Sequence, residues 1–133
     1  MSNGPVPTSA GLGVIFPSAV RAAAAYTSDA LFNPGARGVR LFVANNATGG
    51  STATAKIQVK APGSAVWTDL AGATTAALGS VTGSILTVYP GLTGIADSAG
   101  ITINQHIGST WRVVLTIGVA DTGTTSVSAD YLI

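Results

Sequence analysis

Apolar and polar positions alternate with a period of two along most of the chain from Val39 to Ile133. Ser51–Ala61 shows this best. Ala53, Ala55, Ile57 and Val59 fall on one parity, and Thr52, Thr54, Lys56, Gln58 and Lys60 on the other. Successive side chains of a strand point to opposite faces, so the spacing predicts a strand with one dry face and one wet face. The same pattern predicts strands over Gly38–Ala44, Val81–Tyr89, Thr110–Val119 and Thr125–Ile133, with a shorter one at Ile101–Ile107. In Thr110–Val119 the dry face carries Trp111, Val113, Leu115 and Ile117. Pro62-Gly63-Ser64 is a tight-turn signal, which predicts that Ala65–Leu70 returns antiparallel to Ser51–Ala61 as a hairpin. Asn33-Pro34-Gly35, Pro90-Gly91 and Asp121-Thr122-Gly123 mark further turns. Asn45–Gly50, Ala71–Gly79 and Leu92–Ala99 read as connections. Short strands at fairly even spacing predict an all-β chain: an antiparallel β-sandwich of about eight strands, jelly-roll-like.

The N-terminal end breaks the pattern. Met1–Gly13 holds Gly4, Pro5, Pro7, Gly11 and Gly13 among small polar residues, with no periodicity. Val14-Ile15-Phe16 is a short apolar run ended by Pro17. Residues 1–16 are therefore expected as an extended arm and residues 17–133 as the sandwich domain. Such an arm is either a frayed end or a strap laid on a neighbouring subunit. Within Ala19–Phe32, Arg21-Ala22-Ala23-Ala24-Ala25 favours helix by propensity, but the run is short and carries no apolar stripe, so an extended segment is expected. Several strands carry apolar residues on both parities: Phe42 opposes Leu41, Val114 opposes Val113, Leu86 and Val88 oppose Ile85, and Leu132 opposes Tyr131. An antiparallel sandwich leaves one face of each sheet to water. Either the arm or a partner covers part of that face, or these are the scattered exposed apolar residues of any surface.

Composition sharpens this picture. Charged residues are 8% of the chain and the net charge is +1, where an ordinary domain carries about 25% charged residues. Interface cores are depleted of charge, so a poorly charged surface points to assembly or docking, the alternative being a Thr/Ser-rich extracellular domain. A chain of 133 residues with no cysteine makes one domain without disulfides or thiolate metal sites. No apolar run approaches the ~18 residues of a spanning helix, and no secretory pattern opens the chain, so synthesis in a cytoplasm is expected.

Material for catalysis is scarce. His106 is the sole histidine, and the acidic residues are five aspartates, Asp29, Asp69, Asp97, Asp121 and Asp130. A Ser-His-Asp triad would need His106, and no G-x-S-x-G motif accompanies it. Most of the aspartates stand beside turn residues, where their side chains bond nearby backbone. Asp121-Thr122-Gly123 is too short for a calcium loop, and Gly11-Leu12-Gly13 lacks the third glycine of a dinucleotide site. These residues predict no enzyme, no metal and no cofactor. Arg40, Lys56, Lys60 and Arg112 share the parity opposite the expected core and would form a basic stripe if their strands were neighbours. That is too little charge for nucleic acid, and it fits docking to an acidic protein surface better.

Asn33-Pro34-Gly35-Ala36-Arg37-Gly38-Val39-Arg40-Leu41-Phe42-Val43 resembles a segment of small proteins encoded among the structural genes of tailed bacteriophages. Lys56-Ile57-Gln58-Val59-Lys60 followed by Trp67-Thr68-Asp69-Leu70 resembles their central hairpin. Thr110-Trp111-Arg112-Val113-Val114 and Ser126-Val127-Ser128-Ala129-Asp130 resemble their last two strands. The likeness covers residues 17–133. It implies a virion β-sandwich, foremost a capsid decoration protein that binds the outer head and stabilises the shell. The alternatives are a tail or neck component, or a carbohydrate-binding virion module using Trp67, Trp111 or Tyr89. The expected partners are the major capsid protein and copies of the chain itself, with no nucleic acid and no membrane, and the expected location is the capsid surface. The candidate interface residues are Pro5, Pro7, Val14, Phe16, Arg40, Phe42, Lys56, Lys60 and Arg112.

Overall fold

The computed structural model describes residues 11–46, 52–75, 78–79, 81–91, 100–118 and 123–132. Among them lie β1 (Gly11–Ala19), β2 (Ala24–Thr27), β3 (Leu31–Phe32), β4 (Gly38–Asn46), β5 (Thr52–Lys60) and β6 (Trp67–Thr74). After these come β7 (Leu78–Gly79), β8 (Val81–Val88), β9 (Gly100–Ile103), β10 (Thr110–Ile117) and β11 (Thr124–Leu132). The described residues contain no helix. One sheet has the order β1-β11-β4-β8-β9. The other has the order β2-β10-β5-β6, with β3 also on β10 and β7 also on β5. The two sheets pack face to face as a sandwich.

Period-two alternation builds the core between them. Trp111, Val113, Leu115 and Ile117 of β10 stand opposite Val59, Ile57, Ala55 and Ala53 of β5. All eight belong to the central cluster; seven are buried, and Val59 packs against them half-buried. The facing sheet supplies Val39, Leu41 and Val43 from β4, Val127, Ala129 and Tyr131 from β11, and Leu86 and Val88 from β8. Alanines stand opposite large side chains, so facing positions fill the space without clash. Burying a residue such as Ile57 contributes about 1.5–3 kcal/mol.

The core holds one polar chain of bonds. Trp111 is fully buried, and its Nε1–H donates to the Tyr131 hydroxyl at 3.1 Å. That hydroxyl donates in turn to the Phe32 carbonyl oxygen at 2.9 Å. The two rings meet edge to face, with centroids 6.0 Å apart and planes at 77°. Three other buried polar side chains are paired: Thr125 Oγ1 donates to Asn45 Oδ1 at 2.8 Å, and Thr75 Oγ1 accepts from the Ala55 N–H at 3.0 Å.

Turn chemistry follows the residue types. Asn33 Oδ1 accepts from the N–H groups of Gly35 and Ala36, and its Nδ2 donates to the carbonyls of Ala36 and Gly108. One side chain thus closes the Asn33-Pro34-Gly35 turn and ties it to the loop before β10. At Pro62-Gly63, the Ser64 N–H bonds the Ala61 carbonyl at 3.0 Å, and Gly63 takes a φ of 76°. Proline followed by a residue at positive φ is the pattern of a type II turn.

Four expectations need correction. The strands number eleven among the described residues, not about eight, because two runs read as irregular carry ladders and Ala19–Phe32 divides into β2 and β3. Residues 11–16, expected in the arm, belong to β1, which pairs with β11 along the sheet edge through three register shifts. Glycines and a proline hide such an edge strand, since they suit bulges and unpaired positions. Ala71–Gly79, expected as a connection, holds the end of β6 and all of β7, because small residues fit a bulge against β5 between Lys56 and Gln58. Ile101–Ile107 is a strand only as far as Ile103, and Ile107 is a fully buried loop residue. Among the described residues the sheets are antiparallel except at β8–β9, a parallel pair in which Gly100 stands beside Ile85.

The extended path of Ala19–Phe32 is as expected, and Arg21 accounts for it. Its guanidinium donates to the carbonyls of Pro17 (2.6 Å), Ala19 (3.3 Å) and Thr125. It also lies over the rings of Phe16 and Tyr26, at 5.6 and 6.0 Å. These bonds fix the chain where it crosses from one sheet to the other, and they satisfy carbonyls that a helix there would have taken.

Candidate functional site

The outer face of the β2-β10-β5-β6 sheet gathers the chain's most organised polar cluster. Cross-strand register sets its rows. Phe32, Thr110, Lys60 and Trp67 form one row, and Arg112, Gln58 and Asp69 form the next. Thr27, Val114, Lys56 and Thr74 form a third. Residues paired directly across strands point to the same face, so these side chains are neighbours.

The contacts run through all three rows. Arg112 Nε donates to Gln58 Oε1 at 2.8 Å. Gln58 Nε2 donates to Asp69 Oδ1 at 2.8 Å, and Lys56 Nζ to Asp69 Oδ2 at 3.2 Å. The Arg112 guanidinium lies 4.3 Å from the centroid of the Trp67 ring, and Lys60 Nζ lies 5.3 Å from it. At an exposed site such a cation–π contact contributes about 0.5–1 kcal/mol. The Asp69 carboxyl titrates below the ordinary aspartate range, chiefly through the Gln58 hydrogen bond and then through Lys56. It therefore stays ionised and anchors the network at neutral pH.

Among the described residues, Lys56–Asp69 is the one ion pair within 4 Å. Arg112 and Lys60 are held by an amide and an aromatic ring rather than by carboxylates. Three of the chain's six basic residues share this face with one aspartate of its rows. Asp29 lies in the exposed β2–β3 loop at its margin. Phe32 adds a ring that is 73% exposed at the end of its row.

The expected interface residues do not form one surface. Lys56, Lys60 and Arg112 come together as described. Arg40 does not join them. It sits on β4 in the other sheet, exposed on its outer face across from Asp130 and Thr87. Parity assigns a residue to an outer face but not to a sheet, so the single basic stripe is broken. Val14 and Phe42 share Arg40's face, in one row with Ser128 and Ile85. Val14 is 64% exposed there and Phe42 half-buried. Phe16 points the other way and packs half-buried against the core, because a register shift in β1 sets it opposite Val127. Pro5 and Pro7 lie outside the described residues.

Residue reading also missed members of the cluster. Gln58 and Asp69 carry no recognisable motif, and only the β5–β6 register joins them. Of the aromatic residues weighed for sugar binding, Trp111 is fully buried. Trp67 is half-buried beneath the two cations, a base for them rather than a bare platform.

His106 is exposed, and its Nδ1 accepts from the Gly108 N–H at 3.0 Å, a local loop bond. It borders a cleft of ≈ 470 Å³ lined also by Val59, Lys60, Pro62, Ile107 and Thr110. Among the described residues no three His, Cys, Asp or Glu side chains come together to hold a metal ion. Nor is any helix among them long and apolar enough to cross a membrane. Comparison with protein-family models, with curated proteins and with solved structures gives no match to this chain.

Proposed function

We propose that the sandwich is a jelly roll and that the protein is a non-enzymatic virion protein of a tailed bacteriophage, a capsid decoration protein bound to the outer head. The observation that carries this reading is the nesting of its strand pairs. If β2 and β3 count as one interrupted strand, β6 and β7 as another, and β9 as an addition, eight positions remain. The first then pairs with the last (β1 with β11), and inside that pair lie β2/β3 with β10, β4 with β8, and β5 with β6/β7. A long hairpin rolled up in this way is the two-Greek-key arrangement of viral capsid and lectin domains. The virion reading draws further on the sequence likeness at Asn33–Val43 and on a surface with few charges.

The described chemistry supports binding over catalysis. His106 is engaged in its own loop, and Asp69 is spent on Lys56 and Gln58. Decoration needs only surface. A protein that binds the assembled shell but not its free subunits stabilises the shell by mass action, by about 2.7 kcal/mol per site at a free concentration one hundred times Kd. The partners on this reading are the major capsid protein and further copies of this chain, assembled in the host cytoplasm.

The test is calorimetry of heads lacking the protein, with and without the purified chain added back. Decoration predicts saturable binding and a shell transition raised by several degrees. Heads that bind none of it, while tails or necks do, would move the protein to the runner-up role of tail or neck component.

A further inference from the structure

We propose that the outer face of the β2-β10-β5-β6 sheet is the docking surface and that its occupant is an acidic segment of protein, whose carboxylates meet Arg112 and Lys60 around Trp67. The inference rests on the decoration reading for the owner of that segment, the shell, and on the site itself for its chemistry.

Three observations support it. The first is charge. Lys56, Lys60 and Arg112 stand on adjacent strands, and Asp69 answers Lys56 alone at ion-pair distance. Among the described residues, two cations on this face, Lys60 and Arg112, have no carboxylate within 4 Å. The second is preorganisation. Arg112 is bonded through Nε to Gln58 and its guanidinium lies over the Trp67 ring, so it is held in place before any partner arrives. A guanidinium offers a planar fork that matches a carboxylate, and one already held in place loses less freedom on binding. The third is composition of the patch. A Trp and an Arg at its centre, with the exposed Phe32 along the row, are the residue types that dominate binding energy at protein interfaces.

The same geometry argues against a nucleic acid and against a neutral sugar. A nucleic-acid backbone brings a continuous run of phosphates, and this face offers three cations with Asp69 among them. A neutral sugar needs a bare ring face, and Trp67 carries Arg112 at 4.3 Å. The outer face of the other sheet has Arg40 beside Asp130 in register and an apolar row through Val14 and Phe42, with no comparable cluster of cations among the described residues.

The experiment uses the full chain and heads lacking it. Sedimentation measures binding of the wild type, Arg112→Glu, Lys60→Glu and Arg40→Glu, each first checked for a wild-type melting profile. The proposal expects Arg112→Glu and Lys60→Glu each to weaken binding at least tenfold, and Arg40→Glu to change it less than threefold. If Arg112→Glu fails to fold, Lys60→Glu carries the test, since the Lys60 ammonium lies over the Trp67 ring on the outer face and not in the core. A second arm titrates the wild-type chain with a polyglutamate peptide and, separately, with oligothymidylate of equal charge at the same salt. Polyglutamate should bind more tightly, and its binding should weaken as salt screens the charges. Wild type that binds no heads defeats the decoration reading, and the peptide arm then decides the chemistry of the face alone. Heads bound equally by wild type and both sheet-face variants overturn the docking surface while decoration stands. A loss confined to Arg40→Glu moves docking to the opposite sheet. Tighter binding of oligothymidylate overturns the acidic-protein assignment.

Discussion

Replacing Tyr131 with phenylalanine removes one oxygen atom from the centre of the sandwich and should be felt throughout it. Tyr131 is 4% exposed, and its hydroxyl accepts from Trp111 Nε1 and donates to the Phe32 carbonyl. The ring stays, so packing and the edge-to-face contact with Trp111 stay as well. What changes is that the Trp111 N–H, fully buried, has lost its acceptor. A buried donor left unpaired costs about 1–3 kcal/mol. The Phe32 carbonyl belongs to an exposed residue and its bond is only part-buried, so its share is smaller. We expect a total of about 2 kcal/mol. With an unfolding entropy of about 2.1 cal/mol/K per residue, this corresponds to a fall in Tm of about 7 °C for a chain of this length. Urea denaturation at pH 7 should show a lower midpoint with an unchanged slope, since the surface exposed on unfolding is the same.

The same hydroxyl supplies a second readout. Burial raises the Tyr131 pKa, and the Trp111 hydrogen bond offsets part of that rise. A raised pKa means that stability is fully present below the unfolded value of about 10 and is lost as pH climbs through the folded one. The wild type should therefore lose part of its advantage over Tyr131→Phe above pH 10. A Tyr131→Phe protein that melts within a degree of wild type at pH 7 would refute the reasoning, because the bond chain would then be open to water.

Three further outcomes follow from the fold. Ile57→Asp sets a charge in a fully buried site opposite Val113 and should leave the chain unfolded by circular dichroism; a soluble, cooperatively melting variant would mean that the faces of β5 are reversed. Gly38→Ala drives a Cβ into the Val88 carbonyl oxygen across the β4–β8 ladder and should cost about 1–3 kcal/mol by urea titration, while an unchanged midpoint would show that the two strands stand further apart. Chelation with EDTA should leave Tm where it is; a drop of several degrees restored by calcium would reveal a metal that the reading of the aspartates overlooked.

The core was legible because parity is local. Ala53, Ala55 and Ile57 on β5 and Trp111, Val113 and Leu115 on β10 identify their dry faces from five or six residues each, and all six are buried. Which strand lies beside which is not local. The pairing of β10 with both β2 and β5 joins segments some 50 to 90 residues apart in register, and no turn links them. The β5–β6 hairpin lies between these cases. Pro62-Gly63 announced the turn, but the ladder begins at Lys60–Trp67 rather than next to the turn. That offset decides that Asp69 meets Gln58. Arg40 shows the limit of parity most plainly. It alternates as Lys56 and Arg112 do, points outward as they do, and belongs to the other sheet. β1 was hidden for another reason: an edge strand with three register shifts tolerates the glycines and proline that otherwise signal a loop.

The most direct test of the proposed decoration role is an electron-microscopy reconstruction of tailed-phage heads assembled in the presence of this protein. The account predicts copies of a two-sheet sandwich on the outer surface of the head, with Trp67, Lys60 and Arg112 turned toward the shell. A head with bare outer density, and the sandwich found only in the tail or neck, would contradict it.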